Sequence, residues 1–249
     1  MILPENEFIF FKKFQQFSEL THCITTRKNG LNLRTEEGRW TFLQIIPASS
    51  DQIIVPHQVH GTDIFSLTGL HHPAGSFLPG DFPLTADGLI TTLPGIWIGV
   101  FVADCIPILM YDPVQRVVAV VHAGWRGVAG GIQGEAVKVF THTYGSRIPD
   151  VWVGIGPGIG QCCFEVGPEV IPQFVDHSSA REYLSPGESG HGFIDLKGII
   201  RRDLLNQGIL PDHLETMSLC TSCRSDLFYS YRREGKETGC MMLAAQIER

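Results

Sequence analysis

The stretch VVAVVHAGWRGVAGG, Val117 to Gly131, decides how this chain is read. Its first five residues are apolar without alternation, the pattern of a strand covered on both faces. The run ends on His122, and the glycines from Gly124 onward break any continuing strand. Beyond them, GIQGEAVKVFTHTYG sets Ile132, Ala136, Val139 and Phe140 at helical spacing and stops at Gly145. A buried strand, a sharp turn and a helix would present His122 and Arg126 at a strand end, where folds expose side chains from a rigid support.

Working outward, runs rich in Val and Ile and bounded by Gly, Pro or Asp predict further strands. They cover Gln52–Val55, Gly88–Thr91, Ile96–Val102, Ile108–Tyr111, Val117–His122 and Val151–Ile155. A second helix is expected in DLKGIIRRDLLNQGI, with Leu196, Ile199, Ile200 and Leu204 on one face. Asp195 would cap its start and Gly208 would stop it. This mixture predicts an α+β fold with mixed sheets between helices, organised as one domain over residues 1–249. No internal repeat or linker interrupts it. Two segments rich in Gly, Pro and Ser, His71–Leu84 and His177–Gly192, exceed ordinary connections and are expected as lids or binding loops.

Composition narrows the function classes. An apolar content of 43% and a charged content of 18% over 249 residues describe an ordinary globular chain with a sizeable core. The net charge of -7 opposes a phosphate-backbone partner, and the pairs Arg201-Arg202 and Arg232-Arg233 are too short to reverse it. No nucleic-acid partner is expected. The start MILPENEFIFFKKF lacks the basic, apolar and small-residue regions of a secretion signal. The longest apolar run, IWIGVFVADCIPILMY, holds Asp104 and falls short of the roughly 20 residues that span a bilayer. A cytoplasmic chain without a membrane partner is therefore expected. Seven cysteines at this length do not make a disulfide scaffold; they are thiols, ligands or nucleophiles.

Three apolar runs leave through chemistry-bearing residues. IIVPHQVHG exits by His57 and His60, IGVFVADCIP by Asp104 and Cys105, and VVAVVHAGWRG by His122. If His60, Cys105 and His122 converge, they form a donor set suited to zinc that leaves a fourth position open, the arrangement of a catalytic site. Copper also suits such a set. The same trio admits a metal-free reading, with Cys105 as nucleophile and a histidine as its base. Separations of 45 and 17 residues match no local ligand motif, and each residue alone is as well explained by burial or a core hydrogen bond.

Other features are weaker. VGIGPGIGQCCFEVG misses the dinucleotide spacing GxGxxG, yet its exposed amides could hold an anion. Cys162 and Cys163 could join Cys220 and Cys223 of a CxxC in a zinc site, although adjacent residues of a strand point apart. Arg126, Arg224 and Arg232 suit phosphate or carboxylate by bidentate bonding. No GxSxG, HExxH or P-loop pattern occurs.

Taken in order, HQVHGTDI, ADGLITTLPGIWIGVFVADCIPILMYD, VVHAGWRGVAGGI, VGIGPGIGQCCFEVG and CTSCRSDLFYSYRREGKETG resemble the bacterial laccase-domain proteins. Members carry names as different as polyphenol oxidoreductase, purine nucleoside phosphorylase and peptidoglycan editing factor. The resemblance spans about Pro56 to Gly239. It implies four layers, α/β/β/α, related to deamidating toxins that use a cysteine and a histidine. It implies metal ligands at His60, Cys105 and His122, holding zinc or, alternatively, copper. Catalytic roles fall to Cys105, His122 and Arg126. The implied activity is phosphorolysis of adenosine, inosine and S-methyl-5'-thioadenosine with adenosine deamination; a monomer or homodimer is expected. Amide hydrolysis by Cys105 on serine-containing muropeptide precursors, or a non-catalytic interaction role, are the alternatives. The chain departs from the family pattern in a shortened TTRKNGLNLR segment and in Cys240, where an arginine often follows Thr-Gly.

Overall fold

Alternation within single strands builds the layers. In the computed structural model, which describes residues 7–46, 48–69, 77, 84–175, 177 and 180–248, fourteen strands form three sheets. The strands are β1 (Phe8–Ile9), β2 (Leu20–Thr25), β3 (Ile53–Ile54), β4 (Ile64–Leu67), β5 (Gly88–Thr91), β6 (Trp97–Val102), β7 (Ile106–Asp112), β8 (Val117–Ala123), β9 (Trp152–Ile155), β10 (Glu165–Val166), β11 (Leu184–Pro186), β12 (Gly192–Ile194), β13 (Leu214–Thr216) and β14 (Met241–Ile247). The helices are α1 (Glu36–Ile45), α2 (Trp125–Ala129), α3 (Ile132–Tyr144), α4 (Pro172–Val175), α5 (Leu196–Asn206) and α6 (Tyr231–Glu234).

One sheet runs β1-β2-β14-β6-β3 and a second β13-β9-β7-β8-β5-β4. The pairs β3/β6, β4/β5 and β9/β13 are parallel and the rest antiparallel, so both sheets are mixed. Leu109, Tyr111, Val118 and Val120 face Ile98, Val100, Leu243 and Ala245 across the inter-sheet core. Their neighbours Ile108, Met110, Val117, Ala119 and Val121 turn the other way, onto Ala136 and Phe140 of α3 and Ile199, Ile200 and Leu204 of α5. On the far face of the first sheet, Met242, Ala244 and Trp97 pack on Phe42 of α1. The order is α/β/β/α, as the resemblance implied. Burial on both faces is why these strands read as continuous apolar runs. Each fully buried Val or Leu contributes about 1.5–3 kcal/mol of transfer free energy.

Most expected elements are found with ends shifted by a residue or two. The helix at 132–144 ends on Gly145 in the left-handed conformation, φ 69, and Asp195 caps α5 by accepting from the Gly198 amide. The turn after His122 is itself a short helix, α2, which carries Arg126. Most of the expected lid His71–Leu84 lies outside the described residues, as do Ser178 and Ser179 of the other. The rest of that second segment is no open loop: β11 lies within it and pairs antiparallel with β12, which starts on its last residue.

Strands β2 and β14 and helix α1 escaped the sequence reading. MMLAAQI is built of helix formers, and only its place between β2 and β6 makes it a strand. LTHCIT carries polar residues that the fold satisfies internally. Thr25 Oγ1 accepts from the Met242 amide at 2.9 Å, and His22 Nε2 accepts from the Phe11 amide at 2.9 Å.

That last bond depends on a neutral imidazole. Burial among Phe10, Phe11 and Phe14 pushes His22 down from the ordinary 6.5 to about 4. The fold therefore binds this proton less readily than the unfolded chain. The stability it secures is complete above pH 6.5 and is lost as pH falls toward 4, on the order of 3 kcal/mol. Denaturant unfolding of wild type against His22→Gln, which keeps an acceptor and does not titrate, should show wild type losing ground progressively over that range. A difference independent of pH would refute the assignment.

Candidate functional site

Sheet register brings three distant motifs to one edge. In the second sheet β4, β5 and β7 begin at the edge where β8 ends: Ile64 pairs with Gly88, Gly88 with Val121, and Pro107 with His122. His60 lies four residues before β4, Asp87 directly before β5 and Cys105 directly before β7. His122, at 3% exposure, is the penultimate residue of β8. The donor atoms of His60, Cys105 and His122 all lie within 4.8 Å of one another, and this set can hold a metal ion. The two imidazole rings are 4.8 Å apart at 85°.

Asp87 organises this edge. Its fully buried carboxylate accepts from the amides of Val59 (3.3 Å), His60 (2.9 Å) and Gly61 (2.6 Å) and meets His122 Nδ1 at 2.8 Å. His60 adopts φ 61, a left-handed conformation of the kind that turns successive amides onto one anion. Holding Nδ1 leaves Nε2 of His122 as its donor, the carboxylate–histidine pairing that supports metal ligands. The sequence reading missed Asp87. The signal was an acid opening an apolar strand in ADGLIT.

Gly124 explains a second part of the opening stretch. A Cβ there would stand 2.8 Å from His60 Cδ2 and 3.2 Å from Cys105 Sγ. Any side chain at this helix start would intrude on the donor set. Asp104, before Cys105, also adopts a left-handed φ of 85 and is buried. It accepts from the Thr221 and Ser230 hydroxyls and the Arg232 amide, tying the CTSC…SYRREG segment to the same edge.

Burial alone would raise the Cys105 thiol, but His122, by charge and hydrogen bond, and His60 bring it below its ordinary value. Burial opposes the His122 charge too, and the Cys105 and Asp87 contacts outweigh it and raise the imidazole. Asp87 is held below the usual carboxylate range: burial works against ionisation, and the bonds from His122, Gly61 and His60 prevail. Without an ion the arrangement is a thiolate–imidazolium–carboxylate series. Binding an ion through His122 would displace its proton.

The trio opens on a cavity of about 530 Å³. Phe101, Trp125, Phe164 and Tyr231 give it flat apolar walls, and Arg34, Arg39, Arg126 and Arg232 give it positive charge. Arg34 donates to the Lys236 and Thr238 carbonyls, Arg39 to those of Leu33 and Phe77, and Arg232 to those of Cys163 and Glu165. The exposed Arg126 stacks on Trp125 at 4.2 Å and has no carboxylate partner among the described residues. The N-terminal segment thus contributes to the pocket despite its shortened form, and Cys240 lines it as well.

Other expected residues do not join. Arg224 lies in an exposed pair with Asp226. In the glycine-rich segment, the amides of Gly156, Ile159 and Gly160 donate to Pro107 O, Asp104 O and Cys220 Sγ and are not open to an anion. His57 bridges Thr85 through its backbone and lies outside the donor set. No helix of the described residues is long and apolar enough to cross a membrane.

Comparison with known proteins follows the same lines. A purine nucleoside phosphorylase, YlmD, from Geobacillus stearothermophilus is 36% identical over 226 residues, covering 89% of this chain and 80% of that protein. A protein named adenosine deaminase, from an unknown prokaryotic organism, is 31% identical over 215 residues, covering 83% and 79%. The crystal structure of the YfiH protein of Bacillus licheniformis superposes with a TM-score of 0.90 at 28% identity, covering 97% of each chain. The sequence profile described as "Multi-copper polyphenol oxidoreductase laccase" matches residues 22–248, and the chain belongs to that family.

Proposed function

We propose that the chain is a purine nucleoside phosphorylase with adenosine deaminase activity, built on a zinc site of His60, Cys105 and His122. It would act on adenosine, inosine and S-methyl-5'-thioadenosine, as a cytoplasmic monomer or homodimer. One observation carries the reading: a two-imidazole, one-thiolate donor set opens on a cavity with aromatic walls and an uncommitted arginine. The activity names of the relatives support it.

The donors fit zinc by number and softness, and three ligands leave room for water or substrate. When bound, the ion supplies Lewis acidity and a water acidified toward neutrality. The chain's own residues do the rest. Asp87 fixes the His122 tautomer through Nδ1. The walls from Phe101, Trp125 and Phe164 take the flat base and exclude water. In deamination, water adds at the amino-bearing purine carbon and ammonia leaves. In phosphorolysis, a phosphate oxygen attacks the anomeric carbon as that carbon's bond to the base nitrogen breaks, giving ribose 1-phosphate and the free purine, whose nitrogen takes up the proton the phosphate loses. Arg126, without a carboxylate partner among the described residues, would hold that phosphate.

A second reading rests on the Cys105–His122–Asp87 series, which matches a nucleophile, its base and an orienting acid. Cys105 would then attack an amide, such as that of a serine-containing muropeptide precursor. Phenol oxidation on four coppers is the weakest reading, since the sequence holds no HxH pair.

Zinc-loaded protein with adenosine and phosphate should yield ribose 1-phosphate and ammonia, and Cys105→Ala or His122→Ala should lower both by about 100-fold or more. Arg126→Ala should lower phosphorolysis by about 10–100-fold, the worth of one charged hydrogen bond, and leave ammonia release in place. Absence of both products would sink the nucleoside reading. Chelation should abolish nucleoside turnover; activity on a muropeptide amide that survives chelation but not thiol alkylation would establish the second reading.

A further inference from the structure

Four cysteines gather on the two loops that follow β9 and β13, and none of them belongs to the His60–Cys105–His122 donor set. Cys162 and Cys163 follow β9, and Cys220 and Cys223 follow its parallel neighbour β13. The two loops meet at a bridge between Gly158 and Cys220. Adjacent residues point apart in a strand, but 161–163 is a turn, closed by the Cys163 and Phe164 amides on the Gly160 carbonyl. Both neighbours therefore face the CxxC. The four sulfurs lie within 4.8 Å of one another, with Cys223 Sγ at 3.6 Å from Cys162 and 3.4 Å from Cys163. Zinc–sulfur bonds of about 2.3 Å set the sulfurs of a tetrahedron about 3.8 Å apart, so the set stands close to that geometry before any ion arrives.

We propose that Cys162, Cys163, Cys220 and Cys223 form a closed, structural zinc site, separate from the His60–Cys105–His122 set. Four soft thiolates in a tetrahedron select zinc and leave no open position for chemistry. The surroundings suit the dianion that four thiolates make with a divalent ion. The Gly160 amide donates to Cys220 Sγ at 3.2 Å. Lys197 holds the Met217 and Leu219 carbonyls before the CxxC, and Arg233 holds those of Thr221 and Ser222 within it. The site would clamp the two loops whose continuations carry Ile159, Phe164 and Arg232 into the large cavity. Its work is to position that wall.

The test is zinc content of the full chain carrying His60→Ala and His122→Ala, which removes the first site and keeps this result independent of the nucleoside reading. About one zinc per chain should remain, and adding Cys220→Ser and Cys223→Ser should remove it. A second measurement needs no cysteine variant. In the zinc-loaded double variant, Cys162 and Cys223 should resist iodoacetamide despite their exposure to solvent, and should react after chelation. Thiols that react freely in the presence of zinc, iron in place of zinc, or a disulfide within the set in protein isolated without reductant would each overturn the proposal.

Discussion

The carboxylate of Asp87 receives three consecutive amides from residues 59–61 and meets the Nδ1 of His122 on the neighbouring strand, all from a fully buried position. Removing such a charge from water is tolerable only when every lone pair finds a donor, and here the donors come from two chain segments that must both be in place. One interaction therefore fixes the backbone of His60 and the tautomer of His122 together. Cys105 comes to the same point by strand register, since Ile106 pairs with Ala123 at the start of β7.

The layers below make that register dependable. Residues along β7 and β8 alternate between the inter-sheet core and the core against α3 and α5. A slip by one residue would exchange the two faces and move Asp87 off His122. The stability of the two cores and the geometry of the donor set are thus consequences of the same pairing. Gly124 completes the arrangement by letting helix α2 start against the donor atoms without a side chain in the way.

Much of this was legible in the amino-acid order. The run Val117–Val121 announces a strand buried on two faces, and the glycines after His122 announce the turn. The convergence of His60, Cys105 and His122 was not legible from spacing, because separations of 45 and 17 residues carry no geometric information until the strands pair. Family-like motifs supplied that expectation. Asp87 stayed hidden because an acid before a strand is ordinary sequence, and only pairing reveals that it faces His122. Strand β14 stayed hidden because Met and Ala favour helix when considered alone. The gathering of the four cysteines stayed hidden because a strand would point Cys162 and Cys163 apart, whereas a turn aims both at Cys223.

The most direct test of the account is the zinc affinity of the His60–Cys105–His122 site in Asp87→Asn against the same site with Asp87 kept, both in chains carrying Cys220→Ser and Cys223→Ser, measured by competition with a chelator alongside thermal unfolding. Asparagine keeps the size of the side chain and sets an amide group against the donors of residues 59–61. The account predicts a loss of affinity of about 10–100-fold in a protein that still unfolds cooperatively. Equal affinity in the two folded proteins would contradict the claim that Asp87 organises the site.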